Sequence, residues 1–412
     1  MDQPYISVIV TAYNRRRYLS FALRSLEAQT LPRDKFEVVV VKNFEDKESD
    51  SIISRNGWKD VYNDDPYYGR MMLAALEESK GDVITVLDDD DLYTDNRLEK
   101  VYKAFTSYER LTYFHNSQTI IDDDGNALKR SPLSKNLVGE SPVLIDVNKL
   151  HIFAKKRGMS VIDVILKTLR VGADINSSSL AVRRSALEVN AHLLRELPAG
   201  FDVFAFVSSV KAGGLMYFTD ERLTLYRVHG ENWTARSAKG EGKGAYLKLA
   251  RNSFLAINVY RLISSSLLND DINEYLCIER LNKGALQLLP LPELGTLPPE
   301  LRLSLSDVKL ALSCYKVGVE DLVDVIFVMG SALLSPLLAS PRGRLVIGKL
   351  LERIVEVLTT KRSLKREREA KIKAVEQRHS ERLVAGQYLD QYFVPEALQS
   401  LKDRDVIDLG KR

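Results

Sequence analysis

The chain has 412 residues, more than a usual single domain holds, so two or three structural units are expected. Apolar residues make up 45% and charged residues 28% of it, a balance typical of globular proteins that excludes global disorder. The formal net charge of +3 is too small to indicate a nucleic-acid partner.

The cysteines and the start of the chain bear on location. Cys277 and Cys314 are the only cysteines, which predicts a reducing compartment and no disulfide framework. Residues 1–4 lead into an apolar run without a basic leader, so no signal peptide is expected. Both features indicate a cytoplasmic protein.

The first 110 residues alternate between strand and helix patterns. Residues 6–10 and 38–41 are apolar, β-branched runs typical of buried strands. Between them, apolar residues spaced by three and four predict a helix (Leu19, Ala22, Leu23 and Leu26). A strand, a helix and a strand form a right-handed βαβ unit with parallel strands.

The most informative stretch is residues 82–91, where an apolar strand runs into four consecutive carboxylates. Like charges persist at the end of a buried strand when something positive lies among them, usually a divalent cation with a phosphate-bearing ligand. The alternative is an acidic turn before a helix, because Thr94, Asp95 and Asn96 are good helix caps.

Three predicted strands bring residues 11–14, 42–43 and 88–91 to one edge of one sheet, where open parallel sheets bind ligands. No Gly-rich phosphate loop follows the first strand, which argues against dinucleotide enzymes and P-loop enzymes. A metal and basic side chains are then expected to meet the charge of a diphosphate. The pattern predicts a nucleotide-type site with a metal.

Three segments resemble the family-two glycosyltransferases, whose nucleotide-sugar-binding fold is called GT-A. The segments are residues 8–15 (VIVTAYNR), 37–41 (EVVVV) and 81–91 (GDVITVLDDDD). The resemblance covers residues 5–125 and implies an α/β, Rossmann-like fold with a mostly parallel central sheet and helices on both faces. A mainly α-helical C-terminal region is expected to follow.

The resemblance implies roles for the residues at this edge. Asp88 would face the donor ribose, and Asp90 would bind a divalent metal, Mg or Mn, that bridges the two phosphates. The expected donor-binding residues are Thr11, Ala12, Tyr13, Asn14, Asn43, Arg70, Asp88, Asp89 and Arg227. The expected metal ligands are Asp90, Asp88 and His229.

Two departures from the family pattern leave the donor base open. The family usually ends its second strand with an aspartate that contacts the base, whereas Lys42 and Asn43 stand here. Asn43 still offers a donor and an acceptor to a base edge. The usual Ala-Arg-Asn is also missing, and Arg70 in that region is either a displaced phosphate contact or a solvated helix residue.

The acceptor side is expected between residues 111 and 235. Residues 131–160 read as an unpatterned loop able to cover an acceptor, and residues 174–184 resemble the family's small-residue strand. Phe201 replaces the family's glutamate, while Asp202 keeps the aspartate that removes the acceptor proton. Asp202 is otherwise a helix-dipole partner, but inverting transfer needs a base and no other acid lies in the matching segment.

Two further motifs flank this region. Residues 223–234 resemble the family's Tyr-Arg-x-His-x-x-Asn ending, in which Arg227 suits phosphates and His229 suits a cation. A second acidic run, residues 122–124, precedes Gly-Asn and is interpreted as a structural hairpin turn.

The predicted domains are residues 1–236 (GT-A), 237–340 (helical) and 341–412 (basic amphipathic helical tail). Residues 322–339 are apolar, but Asp324, Gly330 and Pro336 argue against a membrane span. Residues 342–382 hold thirteen Lys or Arg and six Glu, a net charge of +7. This tail suits either peripheral contact of residues 341–383 with an anionic membrane or packing on its own domain, and the helical half suits a homo-oligomer.

The sequence thus predicts a metal-dependent, inverting glycosyltransferase that uses a nucleotide-sugar donor, a carbohydrate acceptor and Asp202 as base. The first alternative is a catalytically degenerate domain that serves as a glycan-binding or scaffold module. The second is a sugar nucleotidyltransferase, which would need a Gly-rich basic loop where residues 11–15 offer neither glycine nor lysine.

Overall fold

The computed structural model describes residues 5–128, 142–157, 159–169, 172–229, 243–268, 273–289, 291, 294–316, 322–347 and 407–409. The chain forms two compact units. The first comprises Met1–Ala235, Leu262–Asp271 and Glu396–Arg412, and the second comprises Arg236–Arg261 and Ile272–Pro395. The three-domain division stays a prediction from the sequence.

The first unit is built on one ten-stranded mixed sheet. Its strands are β1 (Ile6–Ala12), β2 (Phe36–Lys42), β3 (Lys59–Tyr62), β4 (Val83–Asp88), β5 (Leu92–Tyr93), β6 (Leu111–Ile121), β7 (Val143–Asp146), β8 (Leu180–Arg183), β9 (Leu215–Arg227) and β10 (Ile407–Leu409). They follow the order β10-β7-β9-β6-β8-β4-β1-β2-β3, and β5 pairs with β9.

Eight α-helices described by the structure lie wholly within this unit. They are α1 (Leu19–Glu27), α2 (Lys47–Arg55), α3 (Tyr68–Glu78), α4 (Arg97–Ser107), α5 (Val147–Arg157), α6 (Val161–Thr168), α7 (Arg184–Glu188) and α8 (Phe201–Ala212). The predicted apolar face of α1 is buried in the core, which confirms the helix between the first two strands.

The parallel half of the sheet is β3-β2-β1-β4. Every residue of β1 is buried, as expected for a β-branched strand between two neighbours. The register places Thr11 beside Asp88 and Ala12 beside Lys42. The predicted convergence of three strand ends on one edge is therefore confirmed.

The other half of the sheet brings later segments to the same edge. Because β8 runs antiparallel to β4, the residues just before β8 lie beside the acids that follow β4. Because β5 pairs with β9 through Leu92 and Leu225, the end of β9 also approaches those acids. The edge is thus formed by β1 and β4 together with the start of β8 and the end of β9.

The prediction of an unpatterned loop over residues 131–160 is wrong for the part that the structure describes. Residues 143–146 form β7 against β9, and helix α5 follows at once. Only alternate residues of β7 are buried, and four residues are too few for a recognisable period. Residues 131–141 lie outside the described residues.

A buried arginine ties the middle of the sheet together. Arg97 is fully buried at the start of α4, and its guanidinium donates to Thr85 Oγ1 (2.9 Å), Asn116 Oδ1 (3.1 Å) and Leu180 O (3.0 Å). It also lies 3.9 Å from the ring centre of Tyr93. These contacts join β4, β6 and β8 just behind the acidic strand end.

The described residues between 243 and 347 are mainly helical, as predicted. Its helices are α9 (Lys243–Leu267), α10 (Glu274–Leu288), α11 (Leu305–Lys316), α12 (Leu322–Leu333) and α13 (Ser335–Leu338). Two small apolar clusters form the core of the second unit, one around Ile257 and Leu286 and one around Ala311 and Val328. The α/β fold class with a helical C-terminal region is therefore confirmed.

A disulfide links Cys277 on α10 to Cys314 on α11. The prediction of a chain without disulfides is wrong, and the cysteine argument for a reducing compartment falls with it. Sequence spacing did not indicate the pair, because the two cysteines are 37 residues apart and lie on different helices.

No helix among the described residues is both long enough and apolar enough to cross a membrane. Most of the predicted basic tail, residues 348–406 and 410–412, lies outside the part of the chain that the structure describes.

Candidate active site

Four acids form the turn that follows β4. Asp89, Asp90 and Asp91 are at most 6% exposed, and Asp88 is half-buried at the strand end. The N–H of Asp91 donates to the carbonyl of Asp88 at 3.1 Å, which folds the run back on itself. The carboxylates are therefore crowded within one turn.

Burial and nearby negative charge raise the pKa of Asp88, Asp89 and Asp91. Burial, followed by the charge of Asp90, raises the pKa of Asp88 to about 7. Burial also raises the pKa of Asp89 to about 6, although Arg15 opposes the rise. Burial and the charges of Asp90 and Asp88 raise the pKa of Asp91 well above its usual range. Such a cluster favours a bound cation.

Two basic side chains meet the acids. Arg15, just after β1, forms a two-armed contact with the carboxylate of Asp89 and places Nη1 2.9 Å from Asp90 Oδ2. Nε2 of His229, just after β9, lies 2.9 Å from the same oxygen of Asp90. The structure therefore brings together the predicted metal ligands Asp90 and His229, with Arg15 beside them.

Asp88 is held by two residues, Tyr68 and Ser178, for which the sequence does not predict this role. The hydroxyl of Tyr68, at the start of α3, donates to Asp88 Oδ1 at 2.8 Å and also contacts Thr11 and Ser177. The N–H of Asp88 donates to the hydroxyl of Ser178 at 3.0 Å. No sequence signal marks Tyr68, because an aromatic residue at a helix start is usually part of the core.

Asp202 lies in the first turn of α8, which begins after Gly200 in the left-handed region at φ 72°. Its Oδ2 accepts from the N–H of Asn176 at 2.8 Å, and its Oδ1 accepts from the N–H of Val203 at 3.0 Å. Burial raises the pKa of Asp202 above its usual value, and the hydrogen bonds oppose that rise. The charge of Asp202 in turn raises the pKa of Asp88, so the two carboxylates share one site.

Asn176 connects the two halves of this site. Its backbone adopts φ 78°, a region that asparagine tolerates better than most residues. Its Oδ1 caps the Ser177–Ser179 turn by accepting from the N–H of Ser178 at 2.7 Å. Its Nδ2 lies 3.5 Å from Asp91 Oδ2. The predicted small-residue strand is confirmed for Leu180–Arg183, which form β8, whereas Ser177–Ser179 form a 3₁₀ turn before it.

The end of β1 forms the side of the site expected for a base. Thr11 and Ala12 are buried, whereas the ring of Tyr13 is 38% exposed. Asn14 and Asn43 pair reciprocally, since the N–H of Asn14 donates to Asn43 Oδ1 (2.8 Å) and Asn43 Nδ2 donates to Asn14 Oδ1 (2.9 Å). Asn43 therefore occupies the expected position at the end of β2.

The side chain of Lys42 is held in ion pairs and not in the predicted binding site for the sugar donor. Its side chain is 7% exposed and its Nζ lies 2.8 Å from Asp60 and 3.1 Å from Asp50. Where the family usually has an aspartate at this strand end, Lys42 therefore forms a structural ion pair next to Asn43.

Arg227 supports the backbone around the acids. Its Nε donates to the carbonyl of Asp90 at 2.9 Å, and its Nη1 donates to the carbonyls of Asp122 and Asp123 at 3.1 and 2.8 Å. Its N–H donates to Asp91 Oδ1 at 2.9 Å. The second acidic run is a turn, as predicted, and this arginine ties it to the first.

Arg70 lies at the surface of α3. Its Nη1 pairs with Asp65 Oδ2 at 2.9 Å, and its Nε donates to the carbonyl of Arg195 at 2.8 Å. Its neighbour Gly69 packs so closely on the carbonyl of Leu194 that a Cβ would collide with it. A role for Arg70 in donor binding stays a prediction.

The donor set fits a divalent cation shared with a ligand. Among the described residues no group of three or more His, Cys, Asp or Glu forms a complete metal site. Mg²⁺, however, is usually held by one or two carboxylates together with substrate phosphates and water. Asp90 Oδ2 and His229 Nε2, which lie 2.9 Å apart, offer one oxygen and one nitrogen ligand. The chemistry of this pair therefore suits a metal completed by a diphosphate.

Comparison with known proteins gives a consistent result for the N-terminal half. Residues 7–162 match the model of the family described as glycosyl transferase family 2. An uncharacterized glycosyltransferase of Nostoc sp. is 26% identical over 57% of this chain and 69% of its own length. One of Methanocaldococcus jannaschii is 29% identical over 31% of this chain and 47% of its own length.

Among solved structures, a fragment of S. aureus TarS in complex with UDP-GlcNAc aligns with a TM-score of 0.43 and 14% identity. The alignment covers 84% of this chain and 89% of that one. The predicted resemblance to the family-two glycosyltransferases is thus confirmed over residues 7–162, and the relatives named above support the prediction of a glycosyltransferase.

Proposed function

We propose that this chain is an inverting glycosyltransferase that moves a sugar from a nucleotide-diphospho-sugar to the hydroxyl of a glycan or lipid-linked glycan. One observation carries the proposal. Asp88 lies at the same sheet edge as Asp90 and His229, the pair proposed to bind the cation. Asp202, a carboxylate from a separate helix, lies at this edge too. A leaving diphosphate and a base on its far side require this arrangement of groups.

Asp202 is the proposed base. As the acceptor oxygen attacks the anomeric carbon, Asp202 takes its proton while the bond from that carbon to the diphosphate oxygen breaks with its electron pair. Burial raises the pKa of Asp202, which makes it a stronger base than an exposed aspartate. The N–H groups of Asn176 and Val203 fix the direction of the carboxylate.

Asp90 and His229 would hold the metal ion, Mg or Mn. Bound there, a divalent cation supplies Lewis-acid stabilisation of the charge that grows on the leaving group. Asp88 is proposed to contact the ribose, with its carboxylate held by the Tyr68 hydroxyl and its backbone N–H held by Ser178. The exposed ring of Tyr13 offers a stacking surface for the base, and Asn43 offers hydrogen bonds to its edge.

The proposal includes further donor contacts and a location. The predicted donor contacts Arg70, Asp89 and Arg227 stay predictions. The guanidinium of Arg227 donates to backbone carbonyls in this structure. A cytoplasmic location, membrane contact through residues 341–383 and self-association through the helical half also stay predictions from the sequence.

Calorimetry with nucleoside diphosphates tests the proposal. The full chain should bind at least one of UDP, GDP, ADP or CDP only when Mg²⁺ or Mn²⁺ is present. Asp90→Ala should weaken this binding at least about ten-fold because a cation ligand is lost, whereas Asp202→Asn should bind as wild type. Asp124→Asn, an exposed acid of the second acidic run, is the matched control. A chain without metal-dependent affinity for any of them would favour the scaffold alternative.

A further inference from the structure

Arg15 occupies the position in the acidic turn that a cation would take. Its side chain is 21% exposed, while the carboxylates of Asp89 and Asp90 that it contacts are 5% and 8% exposed. Nε donates to Asp89 Oδ2 at 2.9 Å, and Nη1 lies 2.9 Å from Asp90 Oδ2. A guanidinium that bridges two buried carboxylates is held firmly.

The same guanidinium reaches both atoms of the proposed metal pair. Nη1 of Arg15 is 2.9 Å from Asp90 Oδ2 and 3.4 Å from Nε2 of His229. A metal held by those two atoms on the side of Arg15 would need the space that Nη1 occupies. Arg15 in this position would therefore compete with such a metal.

Of three successive arginines, only Arg15 makes these contacts among the described residues. Nε of Arg16 donates to the carbonyl of Glu45 at 3.2 Å. Arg17 is 62% exposed and pairs with Asp123 at 3.4 Å, in the other acidic run. The neighbours thus provide an internal comparison for the role of Arg15.

We propose that Arg15 is a built-in counter-cation that competes with the divalent metal for Asp90 and His229, and that a nucleoside diphosphate relieves this competition. The inference rests on the proposed function of the site. A guanidinium fork matches phosphate oxygens as well as it matches a carboxylate, so a diphosphate gives Arg15 a second partner. Metal and diphosphate then strengthen each other's binding by the same factor.

The test measures Mn²⁺ affinity of the full chain by calorimetry, without nucleotide and with each saturating nucleoside diphosphate. In wild type, the diphosphate that binds should increase Mn²⁺ affinity at least ten-fold. In Arg15→Gln, Mn²⁺ alone should bind at least ten-fold more tightly than in wild type, and the effect of the diphosphate should shrink. Arg17→Gln should behave as wild type.

If Arg15→Gln fails to fold, the wild-type protein itself decides the question. The side-chain Nε–H signal of Arg15, assigned by its absence in Arg15→Lys, is followed by ¹⁵N NMR as Mg²⁺ and the diphosphate are added. The proposal expects this signal to shift and to lose its protection from exchange when both are bound. A signal that stays unchanged while metal binds would overturn it.

Failure of this inference is distinguishable from failure of the proposed function. If Arg15→Gln binds Mn²⁺ alone with wild-type affinity, Arg15 does not compete with the metal, while joint binding of Mn²⁺ and diphosphate would still support a transferase site. If wild type binds neither Mn²⁺ nor any nucleoside diphosphate, whether each is added alone or both are added together, both proposals are wrong.

Discussion

The backbone N–H of Asn176 donates to Oδ2 of Asp202 at 2.8 Å, and it is aimed there because Asn176 adopts φ 78°. The same residue reaches Asp91 through its side chain. A single turn before β8 thus fixes the proposed base relative to the acids after β4. Its conformation should matter for catalysis more than for donor binding.

Substitution of Asn176 tests this positioning. Asn176→Val should lower kcat strongly and destabilise the fold by about 1–3 kcal/mol, because a β-branched residue is strained at this φ and the cap on Ser178 is lost. Asn176→Gly keeps the backbone conformation available and should retain most of kcat. KM for the donor should change little in either variant. Steady-state kinetics and urea denaturation supply the measurements.

The control for this series is Ile175→Ala, since Ile175 is 52% exposed and adjacent in sequence. It should leave kcat unchanged and shift stability by no more than about 0.5 kcal/mol. An Asn176→Val variant with wild-type kcat would show that the turn does not position Asp202.

The raised pKa of Asp88 predicts a pH-dependent stability of the ligand-free chain. An unfolded aspartate titrates near pKa 3.9, whereas burial and Asp90 raise the pKa of Asp88 to about 7 in the fold. The folded state binds this proton more tightly, so the stabilising contribution is full below about pH 4 and is lost as pH rises through 7. Asp88→Asn should therefore gain stability relative to wild type from pH 4.5 to 7.5.

Urea denaturation at pH 4.5, 6 and 7.5 measures this difference, which should change by about 1–4 kcal/mol over the range. Tyr68→Phe should act in the opposite direction, because the Tyr68 hydroxyl lowers the pKa of Asp88. A difference between Asp88→Asn and wild type that is constant with pH would contradict the account.

Tyr68 should also contribute to donor affinity. Tyr68→Phe removes the hydroxyl that orients Asp88 at 2.8 Å, and nucleoside diphosphate binding should weaken by about three- to ten-fold, as for a lost hydrogen bond to a charged group. Tyr67→Phe is the matched control, because the Tyr67 ring packs against Arg70 at the surface. Equal affinities in calorimetry for the two variants would remove Tyr68 from the site.

Arg97 should be among the residues most important for stability. Arg97→Met leaves the buried acceptors on Thr85, Asn116 and Leu180 without this donor and should cost about 3 kcal/mol or more. Lys100→Met on the same helix removes an exposed pair with Glu221 and should cost about 0.5 kcal/mol or less. Chemical denaturation that ranks the two variants equally would refute this role.

The parts of the fold that sequence predicts best are those with strong local patterns. The β-branched runs of β1, β2 and β4 and the apolar spacing of α1 identify the parallel half, and parallel pairing then fixes which ends meet. Strand β7 was missed because its four residues carry no clear period. The link between Cys277 and Cys314 was missed because it depends on how two helices pack.

The site shows the same limit. Asp88, Asp90, Asp202 and His229 stand in motifs, and the structure brings their segments to one edge. The contacts of Arg15 could not be foreseen, because Asp89 lies 74 residues away and its position beside Arg15 depends on the register of β1 and β4. Asn176 left one weak signal, since asparagine is the residue most often found with glycine in left-handed turns.

The most direct test of the central claim is a turnover measurement on the full chain. A panel of nucleotide sugars is incubated with Mn²⁺ and glycan acceptors, and the products are followed by mass spectrometry and their anomeric configuration by NMR. The account predicts one nucleoside diphosphate released per glycosylated acceptor, with inverted configuration, in wild type and Asp124→Asn but not in Asp202→Asn. Full turnover by Asp202→Asn, or a product with retained configuration, would contradict it.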